Sequence, residues 1–152
     1  MSHVSLLFHI IFRTKYSEQT ICEQYEKKLY SYINGIIKNK KGVLYAIGGK
    51  PDHIHILLSI SPTVSISNFM KILKTETSKW LKESPYFNRF SGWSSGYAIF
   101  SYSNKEKEIL INYINNQKEH HKKHLLREEI ELFLTRNGIN FEMNSFFKDN
   151  YF

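Results

Sequence analysis

Val4 to Phe12 is an apolar, largely β-branched run with His9 inside it, and it reads as a buried strand. From Ser17 the period changes. Ile21, Tyr25, Leu29, Tyr32, Ile33, Ile36 and Ile37 recur at three and four residues, which predicts an amphipathic helix ending near Lys41-Gly42. Val43 to Ile47 predicts a second strand stopped by Gly48-Gly49, Pro51-Asp52 a turn, and Ile54 to Ile60 a third strand. The short connection makes these two a hairpin. A second helix starts around Ser65, with Ile66, Phe69, Met70, Leu73, Thr77, Trp80 and Leu81 on one stripe and Lys71, Lys74, Thr75, Ser78 and Lys82 opposite. Pro85 to Ser95 reads as irregular chain and Tyr97 to Tyr102 as a fourth strand. Ser103 and Glu106 have the spacing of a capping box and open a third helix running through Tyr113 to about His121. A last helix, Leu125 to Arg136, closes at Asn137-Gly138.

The order strand, helix, strand, strand, helix, strand and two further helices predicts an α+β fold. It is the ferredoxin-like (split βαβ, RRM-like) antiparallel sheet with additional C-terminal helices. Many functions share this arrangement, so the fold alone selects none.

Length and composition then bound the class. The 152 residues contain no repeat, low-complexity tract or Pro/Gly linker, and the expectation is one domain over 1–152. With 41% hydrophobic residues the chain can bury a core, and the lone Cys22 excludes an internal disulfide framework. The Leu6–Phe12 run is far shorter than the roughly 20 residues of a membrane span, and Met1-Ser2-His3-Val4 lacks a signal peptide's features. A cytoplasmic protein with no membrane partner is expected. The formal charge of +7 favours a polyanionic partner, because basic groups release the counterions condensed on a nucleic acid.

Two constellations carry chemistry. His53-Ile54-His55 places two imidazoles on one face of a predicted strand, a rigid clamp for a metal; the alternative is a strand with one wet face. Tyr113 and Gln117 stand four apart on a predicted helix and so share a face, one turn apart, with Leu110 and Ile114 as the neighbouring apolar stripe. Taken singly, Tyr113 fits a core aromatic and Gln117 a solvated helix residue. Adjacent His120 and His121 face about 100° apart and suit DNA contact or helix-end charge better than one ion.

Together, His53-Ile54-His55 and Tyr113-Ile114-Asn115-Asn116-Gln117 resemble the HUH signature and nucleophile helix of the single-tyrosine HUH transposases. These are the TnpA-type enzymes of the smallest insertion sequences and their REP-associated relatives. Phe8 to Tyr16, Gly48 to Leu58 and Trp93 to Ser101 resemble further blocks of that family in the same order, so the likeness spans about residues 5 to 140. Ser17-Glu18-Gln19 departs from the family's frequent Arg-Arg-Pro, and Ser94 from a Gln.

The resemblance implies Tyr113 as nucleophile, a divalent Mg or Mn held by His53, His55 and Gln117, and a 5′-phosphotyrosine on single-stranded DNA. It also implies recognition of hairpins at element ends and a homodimer. DNA contacts are expected from Arg13 and Lys15 after the first strand and from Lys71, Lys74, Ser78 and Lys82 on the second helix. Two other readings stay open: a non-enzymatic RRM-like module, since Gly96 to Tyr102 resembles an aromatic RNA-binding strand, and another HUH nuclease such as a replication initiator or relaxase.

Overall fold

The structure, a computed structural model, describes residues 3–120 and 125–139, apart from the side chain of His120. Strands β1 (Leu7–Arg13), β2 (Val43–Lys50), β3 (His53–Ser59) and β4 (Ala98–Tyr102) form one antiparallel sheet in the order β2-β3-β1-β4. Helices α1 (Glu26–Asn39) and α2 (Ile66–Glu83) connect them in the split-βαβ manner. After β4 come α3 (Lys107–Asn115), α4 (Gln117–His120) and α5 (Leu126–Arg136). This is the expected α+β sheet with added C-terminal helices.

Period-two geometry sorts the two central strands into faces. Ile10, Phe12, Ile54, Ile56 and Leu58 pack with Leu29, Ile33 and Ile37 of α1 and Phe69, Met70, Leu73 and Leu81 of α2. The opposite face carries His9, Ile11, Arg13, His53, His55 and Leu57, paired Ile11 with His55 and Arg13 with His53. Two smaller apolar clusters cover it. One joins Ile11 and Phe100 to Leu126, Ile130 and Phe133 of α5; the other joins Leu7, Ala46 and Leu57 to Leu110 and Ile114 of α3. Polar chemistry therefore sits between a sheet and helices, where burial holds it rigid.

Four local expectations are corrected. The first helix begins at Glu26, because Thr20 and Ile21 donate their N–H groups to the carbonyl of Pro51, leaving a loop there; Ile21 still reaches the core. Gly48-Gly49 does not stop β2: both pair with β3, opposite His55 and Ile54. A glycine is needed at 48, since an added Cβ would lie 2.5 Å from the carbonyl oxygen of Ile114, so α3 rests directly on the strand. The third helix is two pieces. Asn116, at φ −105° and ψ 22°, breaks it between α3 and α4, and its amide donates to the Asn112 carbonyl at 2.8 Å, competing with the helix ladder. Its start agrees with expectation, as Ser103 N–H donates to Glu106 Oε2 at 3.1 Å, although the first turn, Asn104–Glu106, is 3-10. The fourth correction is Arg13, taken up below.

Candidate active site

The hairpin between β2 and β3 ends at Asp52, and the next residues place His53 and His55 side by side on the α3 side of the sheet, ring centroids 5.2 Å apart. Both are buried. Each ring is held through Nδ1: His53 to Asp52 Oδ1 at 2.7 Å, His55 to His9 Nε2 at 2.9 Å. With Nδ1 as the donor in each case, both Nε2 atoms turn a lone pair into the space beneath α3 and α5.

Burial fixes the state of His9. Desolvation pulls its imidazole from 6.5 down to about 3, outweighing the attraction of the Glu129 charge, so it is neutral and accepts from His55.

Gln117, the first residue of α4, is buried and brings Oε1 to 3.3 Å from His53 Nε2. Its Nε2 has no hydrogen-bond partner among the described residues. Lys118 pairs with Glu26 of α1 at 2.7 Å and anchors the short helix from its outer side. Tyr113, in the last turn of α3, lies edge-on to His55 with centroids 5.8 Å apart. The helix break at Asn116 thus leaves Tyr113 and Gln117 directed into one site.

The Tyr113 hydroxyl donates to Glu129 Oε1 of α5. Burial foremost, then that hydrogen bond and the carboxylate charge, raise its pKa above the ordinary 10, so the phenol is protonated at neutral pH.

Glu129 was not among the expected site residues. It is buried, its Oε2 lies 3.9 Å from His55 Nε2, and His53, His55 and Glu129 bring donor atoms within 4.8 Å of one another. Its sequence signal is a carboxylate on the apolar stripe of α5, with Leu126, Ile130 and Phe133 at helical spacing, whereas Glu128 and Glu131 are exposed. His9 and Asp52 were visible as residues but not as the groups that orient the two imidazoles.

These groups suit a divalent cation. Two imidazole nitrogens, an amide oxygen and a carboxylate converge in a buried space, and such a mixed set matches a hard or borderline ion.

The expected nucleic-acid residues separate. Lys74, Ser78 and Lys82 line a cleft of about 610 Å³ with Trp93, Ser94 and Ser95, and none of the histidine-site residues lines it. Lys74 Nζ donates to the carbonyls of Ser94 and Gly96, and Trp93 Nε1 to Thr77 Oγ1 at 2.9 Å, which fixes the cleft wall. Lys71 is exposed on α2 but does not line this cleft, and Lys15 is exposed after β1. Arg13, expected after the first strand as a DNA contact, is instead the last residue of β1 and fully buried. The Lys15–Ser17 turn, with Tyr16 and Ser17 at positive φ, folds over it, and the guanidinium donates to Ser17 Oγ at 3.1 Å and Thr14 O at 3.3 Å. His121 lies outside the described residues, as does the His120 side chain.

The buried His53-Ile54-His55 strand thus faces Tyr113 of α3 and Gln117 of α4, the arrangement that the resemblance to the single-tyrosine transposases leads one to expect. Residues 2–117 match the sequence family described as "Transposase IS200 like", and the chain belongs to that family. It is 31% identical to the transposase for insertion sequence element IS200 of Salmonella typhimurium over 121 residues, 76% of this chain and 78% of the relative. It is 26% identical to the ISDra2 transposase TnpA of Deinococcus radiodurans, covering 74% and 84%. A crystal structure of a candidate transposase from Deinococcus radiodurans superposes with a TM-score of 0.57 at 26% identity, over 77% of this chain and 95% of that one. A REP-associated tyrosine transposase solved with a REP hairpin shares the fold, with a TM-score of 0.58 at 15% identity over 80% and 74%. No helix among the described residues is long and apolar enough to cross a membrane.

Proposed function

We propose that this transposase cleaves and rejoins single-stranded DNA at insertion-sequence ends through a covalent 5′-phosphotyrosine on Tyr113, with a divalent Mg or Mn. The observation that carries this reading is the meeting of Tyr113 and Gln117 with His53 and His55: Gln117 3.3 Å from His53, and Tyr113 stacked edge-on against His55. An RRM-like binding module has no use for that buried convergence.

His53, His55 and Gln117 would hold the cation, which would supply Lewis-acid polarisation of the scissile phosphate and neutralisation of the charge that builds in the transition state. Tyr113 supplies the nucleophile: its hydroxyl oxygen attacks phosphorus in line as its proton leaves, the bond from phosphorus to the 3′ oxygen breaks, and a 3′-hydroxyl departs. Bond energy stays in the phosphotyrosine, so a second 3′-hydroxyl can reverse the step and join another strand without ATP. Asp52 and His9 keep the two imidazoles in the orientation that presents Nε2.

Lys74, Ser78 and Lys82 in the α2 cleft, with Lys71 and Lys15 nearby on the surface, bind the phosphate backbone. Arg13, buried opposite His53, contributes its charge from beneath the site. Residues 1–152 act as one transposase domain, and a homodimer pairs two hairpin-bearing DNA ends.

His53→Ala tests the division of labour. Metal-dependent cleavage of single-stranded DNA falls by orders of magnitude while DNA affinity at moderate salt changes less than about twofold. An affinity loss matching the activity loss would make His53 a binding or folding residue and overturn its assignment to chemistry.

A further inference from the structure

The stripe of α5 that faces the sheet is apolar at Leu126, Ile130 and Phe133, yet it carries Glu129. Tyr113 supplies one hydrogen bond, to Oε1. The other oxygen, Oε2, points at His55 Nε2 from 3.9 Å, beyond hydrogen-bond length.

That separation is what two ligands of one ion require. Donor atoms each about 2.1 Å from a cation at right angles stand about 3 Å apart, and opposite ones about 4.2 Å. The nitrogen and carboxylate donors of His53, His55 and Glu129 lie within 4.8 Å of one another, a spread that a shift of a few tenths of an ångström closes. Gln117 enters the same space from α4.

We propose that Glu129 is a fourth protein ligand of the cation and that its other oxygen holds the Tyr113 hydroxyl at the edge of the metal site. This rests on the reading of His53, His55 and Gln117 as metal ligands. A single carboxylate then couples nucleophile and ion, and α5, remote in sequence from the HUH strand, completes the site. The carboxylate also shifts a two-imidazole centre toward the oxygen-rich coordination that Mg and Mn prefer.

Calorimetric titration of the metal-free full-length protein with MnCl2 tests this, with circular dichroism in chelator confirming that each variant is folded. Wild type binds Mn saturably. Glu129→Gln, which keeps the shape and can still pair with the tyrosine, loses at least about tenfold in affinity. Glu129→Asp, one methylene shorter, loses affinity as well and serves if the amide variant does not fold. Tyr113→Phe keeps wild-type affinity, because it removes the hydrogen bond and not the ligand. Wild-type affinity in Glu129→Gln beside a loss in His55→Ala would overturn the Glu129 assignment and leave the HUH site standing. An equal loss in Tyr113→Phe would trace the effect to the broken hydrogen bond and also overturn it. Absence of Mn binding by wild type would instead bring down the metal reading itself.

Discussion

Replacing Gly48 by alanine isolates how closely the tyrosine helix is set against the sheet. The new methyl carbon falls 2.5 Å from the carbonyl oxygen of Ile114, against the 3.4 Å of ordinary contact, so one partner must retreat by about 0.9 Å. Both are backbone-bound, and β2 is held by its ladder to β3, so α3 moves. Leu110 and Ile114 then lose contact with Leu7, Ala46 and Leu57, and Tyr113 shifts with them. Overpacking of this kind costs about 1–3 kcal/mol, a fall of about 3–10 °C in Tm for a domain of this size. A displacement near 1 Å at a reacting group lowers a rate by about 100-fold. The assay pairs thermal unfolding with single-turnover formation of the covalent DNA adduct. Gly35→Ala is the control: nothing lies within 4 Å of its added methyl on the exposed face of α1, and a helical Gly→Ala gains about 0.5–1 kcal/mol. An unchanged Tm and adduct rate in Gly48→Ala would refute the claim that α3 rests on this glycine.

Acid sensitivity and DNA binding give two further tests. His9 titrates at about 3 in the folded protein against 6.5 when unfolded, so below pH 6.5 the unfolded chain takes up a proton that the fold refuses. Stability therefore falls as pH drops from 6.5 toward 3, by about 1.4 kcal/mol per unit from this residue, and His9→Gln in chelator removes that share of the slope in denaturant titrations. An unaltered slope would show that His9 is not the buried neutral group inferred. Lys82→Ala, which removes an exposed cation from the α2 cleft, weakens single-stranded DNA binding and lowers the slope of log affinity against log salt by about 0.7. A salt slope equal to wild type would place the strand elsewhere.

The sheet and its helices were legible because their signals are local. Ile54 and Ile56 alternate with His53 and His55, and Leu29, Ile33 and Ile37 mark one helix face whatever surrounds them. The order of elements then fixed the split-βαβ topology. The gathering of His53, His55, Tyr113 and Gln117 was expected from the family resemblance that two short motifs carry; periodicity alone paired only His53 with His55 and Tyr113 with Gln117.

What escaped the sequence depends on contacts between distant segments. Gly48-Gly49 reads as a strand stop until the carbonyl of Ile114 is seen to need the empty space. Arg13 reads as a DNA-contacting residue beyond the first strand, and only the turn at Tyr16 and Ser17 that closes over it shows it as a buried member of β1. Glu129 sits in a helix whose sequence shows an ordinary amphipathic stripe; only the packing of α5 against β1 and α3 turns that carboxylate toward Tyr113 and His55. The break at Asn116 is local in cause, an asparagine amide bonding back to Asn112, but its asparagine pair was read as helix interior.

The most direct measurement incubates the protein with labelled single-stranded DNA bearing the element end, with Mn, with Mg and with chelator, and resolves products on a denaturing gel. Wild type gives a protein–DNA adduct that requires the metal, and Tyr113→Phe gives none while still binding the DNA. An adduct that persists in Tyr113→Phe, or forms equally well in chelator, would contradict the assignment of Tyr113 as a metal-assisted nucleophile.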